Sequence, residues 1–193
     1  MRITINGIEN EFKTDSLVRF TDLIELIKTT IDPEHMITDL ILDGRELTDS
    51  DWASPMSQIE GRDLVISTGT PSDFVNSRFC IAAPVLRECY IKFRNARKDF
   101  QSGKMQGGNQ ILSEAVHTLQ AFFQWYASIV ELIPDSEKER YNIDKQVSDI
   151  SDICKKICQH QLYQSWWALG EVIKNELEPK IDELEDFCRT FEN

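Results

Sequence analysis

Hydrophobic and polar positions alternate from the amino end of the chain. Arg2-Ile3-Thr4-Ile5 has the period of two that a strand with one buried face requires. It runs into Asn6-Gly7, a pair suited to a tight hairpin turn, and Asn10-Glu11-Phe12-Lys13-Thr14 reads as the returning strand. The period then changes. Leu23, Ile27 and Ile31 share one stripe of a helix that Thr21 would cap, with Asp22 in its first turn. Asp32-Pro33 ends it, because the residue before a proline resists the α conformation. Strand character resumes at Asp39-Leu40-Ile41-Leu42, turns at Asp43-Gly44 and returns through Arg45-Glu46-Leu47. After a polar stretch containing Gly61, Asp63-Leu64-Val65-Ile66-Ser67 closes the series.

Beyond this point the period is 3.6. Thr68-Gly69-Thr70-Pro71-Ser72 is rich in breakers, so residues 70–83 read as a linker and lead-in, with Pro84 in the first turn of a new helix. Leu86, Cys89, Tyr90, Phe93, Ala96 and Phe100 form its apolar stripe, and Ser102-Gly103 stops it. Gly107-Gly108-Asn109 opens a second helix, whose broad apolar face runs from Leu112 to Ile133 and ends at Pro134-Asp135. Ile143, Val147, Ile150, Cys154 and Ile157 mark a third, and Leu162, Trp166, Leu169, Ile173, Leu177, Ile181, Leu184, Cys188 and Phe191 a fourth. A single helix over both would be ~80 Å long at ~1.5 Å per residue, so a turn is expected near Gln159–Leu162. Pro179 should kink the last helix. The expected class is α+β: a small mixed-sheet domain over 1–69, then an antiparallel four-helix bundle over 84–193.

The order strand-strand-helix-strand-strand-strand is that of a β-grasp, and residues 1–69 resemble ubiquitin and its relatives. The likeness rests on Leu40–Leu47 (LILDGREL), the helix TDLIELIKTTI, Asp32-Pro33 and the closing DLVIS. Conjugated members of that family end in Gly-Gly; here the matching stretch reads Ser67-Thr68-Gly69-Thr70-Pro71 and continues into helices, so tagging or sulfur-carrier chemistry is not expected. The resemblance implies a partner-binding patch on the outer sheet face with Ile41 at its centre and Ser67 as its neighbour on the last strand. Leu40 and Leu42 point inward by alternation. A second resemblance covers residues 84–133. Leu86, Phe93-Arg94-Asn95-Ala96-Arg97, Phe100 and Ser102-Gly103-Lys104, followed by the helix Leu112 to Ile133, look like the paired helices of the flagellin export chaperones. That likeness implies a bundle that holds an exported subunit.

Charge narrows the partners. The net charge is −12, with 14 acidic and 6 basic residues over 1–70 and the excess of acids continuing beyond. Phosphate backbones and anionic lipid would be repelled, which disfavours nucleic acid and membrane. Met1–Gly7 lacks the apolar core of a signal peptide, no apolar run is long enough to span a bilayer, and five cysteines are an odd number with no paired spacing. A cytoplasmic location with reduced thiols is expected.

Candidate chemistry is sparse. His35, His117 and His160 lie on different elements, none beside a recognisable nucleophile. Ser102–Asn109 joins two helices and departs from the phosphate-loop pattern. Cys154 and Cys158 stand four apart near His160, but a structural zinc wants four ligands, so no metal and no cofactor are expected. Aromatic residues gather instead: Phe122-Phe123, Trp125-Tyr126, Tyr163 and Trp166-Trp167. Adjacent helical residues lie ~100° apart, so of Trp166 and Trp167 one should pack and the other reach an edge or a partner. The sequence therefore reads as a non-catalytic adaptor or scaffold that binds another protein through Ile41 or the Trp166-Trp167 edge, with a homo-oligomer possible. The alternatives are a chaperone-like bundle and an enzyme with a site at the domain junction.

Overall fold

Both tight turns that the sequence marks form, and they set the register of the sheet. In the computed structural model, which describes residues 1–14 and 16–191, Asn6 and Gly7 have φ of 50° and 81°, and Asp43 and Gly44 have 50° and 77°. Positive φ at both central residues is the type I′ geometry that matches strand twist. Asp15, Glu192 and Asn193, the last two closing the expected bundle, lie outside the described residues. The chain divides into two compact units, Met1–Phe74 and Val75–Asn193.

The first unit is a five-stranded mixed sheet with one main helix. β1 (Arg2–Ile5), β2 (Ile8–Asn10), β3 (Met36–Leu42), β4 (Arg45–Glu46) and β5 (Asp63–Gly69) lie in the order β2-β1-β5-β3-β4. β1 and β5 are parallel and the other pairs antiparallel. The second strand starts earlier than the sequence reading placed it, because a two-residue turn leaves Ile8 directly opposite Ile5. α1 (Phe20–Lys28) begins one residue before the expected cap at Thr21. The Asp22 carboxylate reaches back to accept the Arg19 N–H at 3.0 Å, and this pulls fully buried Phe20 into the first turn. Phe20, Leu23, Ile24 and Ile27 pack on Ile3, Leu42, Leu64 and Ile66 from the sheet, with Met56 and Ile59 closing the core. Ile37 and Leu40 both face this core although they are an odd three positions apart; a bulge between Ile37 and Asp39 absorbs the odd residue.

A short helix, α2 (Asp49–Trp52), carries the only acidic side chain buried in this unit among the described residues. Asp51 accepts two hydrogen bonds from the Arg45 guanidinium, at 2.7 and 2.9 Å, and two more from the Thr48 N–H and hydroxyl. The Arg45 bonds, then those of Thr48, hold its carboxyl well below the usual carboxylate range. A folded pKa below the unfolded value of 3.8 means the unfolded chain binds more protons as the solution is acidified. The stabilisation is therefore complete above that value and is lost as pH falls through the folded one. Asp51→Asn should melt lower than the parent at neutral pH, the gap shrinking in thermal melts taken down towards about pH 2. A gap that stays constant with pH would mean the charge contributes nothing.

The second unit is helical. α3 runs from Pro71 to Gln101, where a linker and lead-in were expected over 70–83 and a helix start at Pro84. The residues read as breakers are a helix start instead. The Thr70 hydroxyl accepts the Asp73 N–H at 3.1 Å, Pro71 occupies the first helical position, where no N–H is needed, and Asp73 sits in the first turn. Pro84 is exposed inside the helix, which forgoes one backbone bond there. α4 (Met105–Val130) likewise begins before Gly107-Gly108. A Cβ on Gly108 would lie 2.8 Å from the Phe100 ring, so this glycine allows the close approach of α3 and α4 and breaks nothing.

α5 (Asp144–Leu162) ends in a turn at 163–165, close to its expected place, with Gln164 at φ 52° and the Ser165 N–H bonded to the His160 carbonyl at 2.8 Å. α6 (Trp166–Val172) passes through a π segment, Ile173–Leu177, into α7 (Glu178–Arg189). The Pro179 ring would strike the carbonyl four residues back, Asn175, and the wider π turn spans that residue.

Side-chain contacts set the helix neighbours. Phe79 on α3 meets Trp125 on α4 and Phe187 on α7; Phe100 on α3 stacks on Trp166. Arg97 on α3 pairs with Glu178 at 2.9 Å, and on the other side α5 reaches α7 through Asp149 to Lys180 at 3.2 Å and α4 through Gln161 to Asn109 at 2.7 Å. From Phe79–Phe187 through Arg97–Glu178 to Phe100–Trp166, rising numbers on α3 meet falling numbers on α7 and α6, so these neighbours are antiparallel. Among the described residues no helix is long and apolar enough to cross a membrane.

Candidate functional site

Ile41 lies on the outer face of the sheet, half-buried, while Leu42 is fully buried and Leu40 packs on the core. Its neighbour on β5 is Val65, directly opposite in register and 42% exposed; Ser67 instead faces Asp39. Ser67, two residues along β5 from Val65 and on the same face by alternation, is the diagonal neighbour of Ile41. Glu46 flanks Ile41 on β4, and Thr4 lies beyond Val65 on β1. The apolar part of this face is thus two side chains wide, with acids beside it.

Trp166 and Trp167 separate as expected from their helical offset. Trp166 stacks on Phe100, with ring centroids 5.3 Å apart and 10° between planes, whereas Trp167 is 73% exposed. Leu162 and Tyr163, at the turn that precedes them, are equally bare. Ile41 belongs to the first unit and both tryptophans to the second.

The most developed apolar surface was not anticipated from the sequence. On the side of α3 away from its buried stripe, Ile81 and Val85 stand one turn apart and are 61% and 43% exposed. With Arg78 and Ala82 they form one wall of a groove of about 370 Å³, and Thr118, Ala121, Phe122 and Trp125 of α4 form the other. The depression exists because Ala82 and Ala121 are small where the larger Ile81, Val85 and Trp125 rise beside them. Ile81 falls in the segment 70–83, whose breaker-rich start reads as a lead-in to a helix beginning at Pro84. With the start at Thr70-Pro71, the i, i+4 pair of Ile81 and Val85 off the core stripe is visible.

Burial pushes the Cys89 and Cys188 thiols up to about 12, so both stay protonated at neutral pH. His117 is exposed on α4, and His35 lines a wide, open depression in the first unit. Compared with protein-family models, with curated proteins and with solved structures, the chain finds no match.

Proposed function

We propose that this chain is a non-catalytic protein-binding module in which the α3–α4 groove receives an amphipathic helix of its partner. The observation that carries the reading is the exposure of Ile81 and Val85 beside Trp125, large apolar groups that a folded chain has no internal reason to leave in water. The wall is a ridge of i, i+4 side chains, which a second helix meets with its own apolar stripe. The net charge of −12 favours a partner helix with a basic polar face. In this reading the first unit is a ubiquitin-like β-grasp and the second an up-and-down four-helix bundle. The strand order, the single helix over the sheet and the antiparallel neighbours support those names. The Ile41–Val65 face and the Leu162–Tyr163–Trp167 turn are the smaller competing surfaces. A chaperone-like role towards an exported subunit is the second reading, favoured because the groove lies largely on the segment, 84–133, that resembles flagellin export chaperones.

The test uses a labelled 18-residue synthetic helix with a leucine stripe and a lysine-rich polar face, titrated into the full chain. Ile81→Asp and Trp125→Ala should weaken binding about tenfold or more, the cost of losing a hot-spot contact. Ile81→Asp should leave the melting temperature nearly unchanged, since its site is exposed. Binding that survives both changes but is lost on Ile41→Ala or Trp167→Ala would move the site to the sheet face or the turn.

A further inference from the structure

A second cavity, about 340 Å³, opens between α4 and α5, and two thiols share it. Cys154 and Cys158 lie one helical turn apart on α5, where side chains at i and i+4 occupy one face with Cβ atoms ~5–6 Å apart. Cys158 is exposed and Cys154 partly so, whereas Cys89 and Cys188 are sealed in the core. Its lining mixes apolar Leu112, Val116 and Ile157 with polar Ser113, Gln120 and the exposed His117, and the Gln161 to Asn109 hydrogen bond at 2.7 Å ties α5 to α4 beside the pair.

Among the described residues no group of three or more His, Cys, Asp or Glu side chains is disposed to hold a metal. A tetrahedral zinc ion, which wants four donors, does not fit this arrangement. An ion content with two soft donors does, and thiolate sulfur is the donor such ions select. We propose that Cys154 and Cys158 form a two-thiolate site for a soft, two-coordinate metal ion of the copper(I) class. On binding, two S–H bonds break, two sulfur–metal bonds form and two protons leave to solvent. The ion keeps its oxidation state, so no oxidant or reductant takes part. Placed one turn apart on α5, the two side chains share one helix face.

The experiment titrates the reduced, full-length protein with copper(I) held by bicinchoninate under nitrogen, reading loss of the coloured competitor complex and growth of thiolate-to-copper ultraviolet absorption. One equivalent should transfer to the native chain. Cys158→Ser and Cys154→Ser should each abolish transfer at the same competitor concentration, Cys80→Ser should preserve it, and zinc(II) should not compete. Because Cys158 is exposed, its serine variant keeps the fold, which circular dichroism checks, and it decides the matter alone if Cys154→Ser unfolds. Transfer unchanged in Cys158→Ser, or lost equally in Cys80→Ser, would overturn the assignment, as would displacement of copper by zinc.

Discussion

Replacing Phe79 with alanine is expected to destabilise the helical unit by about 3–5 kcal/mol, the cost of truncating a fully buried aromatic residue that its neighbours cannot replace. Phe79 is inaccessible to solvent and touches the rings of Trp125, Tyr126, Tyr141, Phe187 and Phe191, with centroids 4.9 to 6.0 Å away. Those rings come from α4, from the turn after it and from the C-terminal end of the chain, so one deletion loosens contacts that join distant segments. The cluster cannot collapse freely into the gap, because two of its members are pinned: the Tyr141 hydroxyl donates to Asn76 Oδ1 at 2.9 Å and the Tyr126 hydroxyl to the Tyr141 carbonyl at 2.7 Å. Urea unfolding followed by tryptophan fluorescence should show a lower midpoint with an unchanged slope. A cost under about 1 kcal/mol would mean that the rings repack without Phe79.

The second large effect concerns charge. Arg97 donates to Glu178 at 2.9 Å in an interface where the two side chains are 13% and 8% exposed, and Tyr90 adds a longer contact at 3.4 Å. Arg97→Met removes the cation but leaves the carboxylate behind, away from water. Breaking one side of a buried pair in this way costs about 3–5 kcal/mol, whereas replacing both partners with apolar groups is often neutral or better. The double variant Arg97→Met with Glu178→Leu should therefore recover most of the stability lost by the single one. A four-way comparison of unfolding free energies measures the coupling. If the single change costs less than about 1 kcal/mol, water reaches Glu178 and the pair is a surface bridge.

Much of this architecture was readable because short-range chemistry dictates it. Asn6-Gly7 and Asp43-Gly44 name their turn types directly, and the 3.6-residue spacing of Leu86, Cys89, Phe93, Ala96 and Phe100 names the buried side of α3. What escaped was ambiguous locally and settled by distant residues. Pro71 and Gly108 carry the composition of breakers, yet one starts a helix and the other lies within one, against Phe100. The placement of Val65 beside Ile41 depends on a cross-strand register that neither strand encodes alone. The groove was hidden for the same reason: it needs α3 to begin early enough to include Ile81 and needs α4 beside it. Of the surfaces named from sequence, Ile41 and Trp167 are outward as expected, because strand alternation and the helical offset of adjacent residues are local rules.

The parallel pairing of β1 with β5 also orders events in time. Arg2 lies opposite Asp63 and Ile5 opposite Ile66, so the central ladder of the sheet joins residues 61 positions apart. Bringing such distant segments together carries a loop-closure entropy that no local contact offsets in advance. β1 leaves the ribosome before β5 and cannot dock until residues 63–69 have followed it, which leaves its unpaired edge open throughout that interval. The helical neighbours have no such wait: α3 and α4 are joined by a three-residue turn, 102–104, and can pair as soon as both exist. In folding kinetics, the earlier-made of the two units is thus the one whose closure is slow.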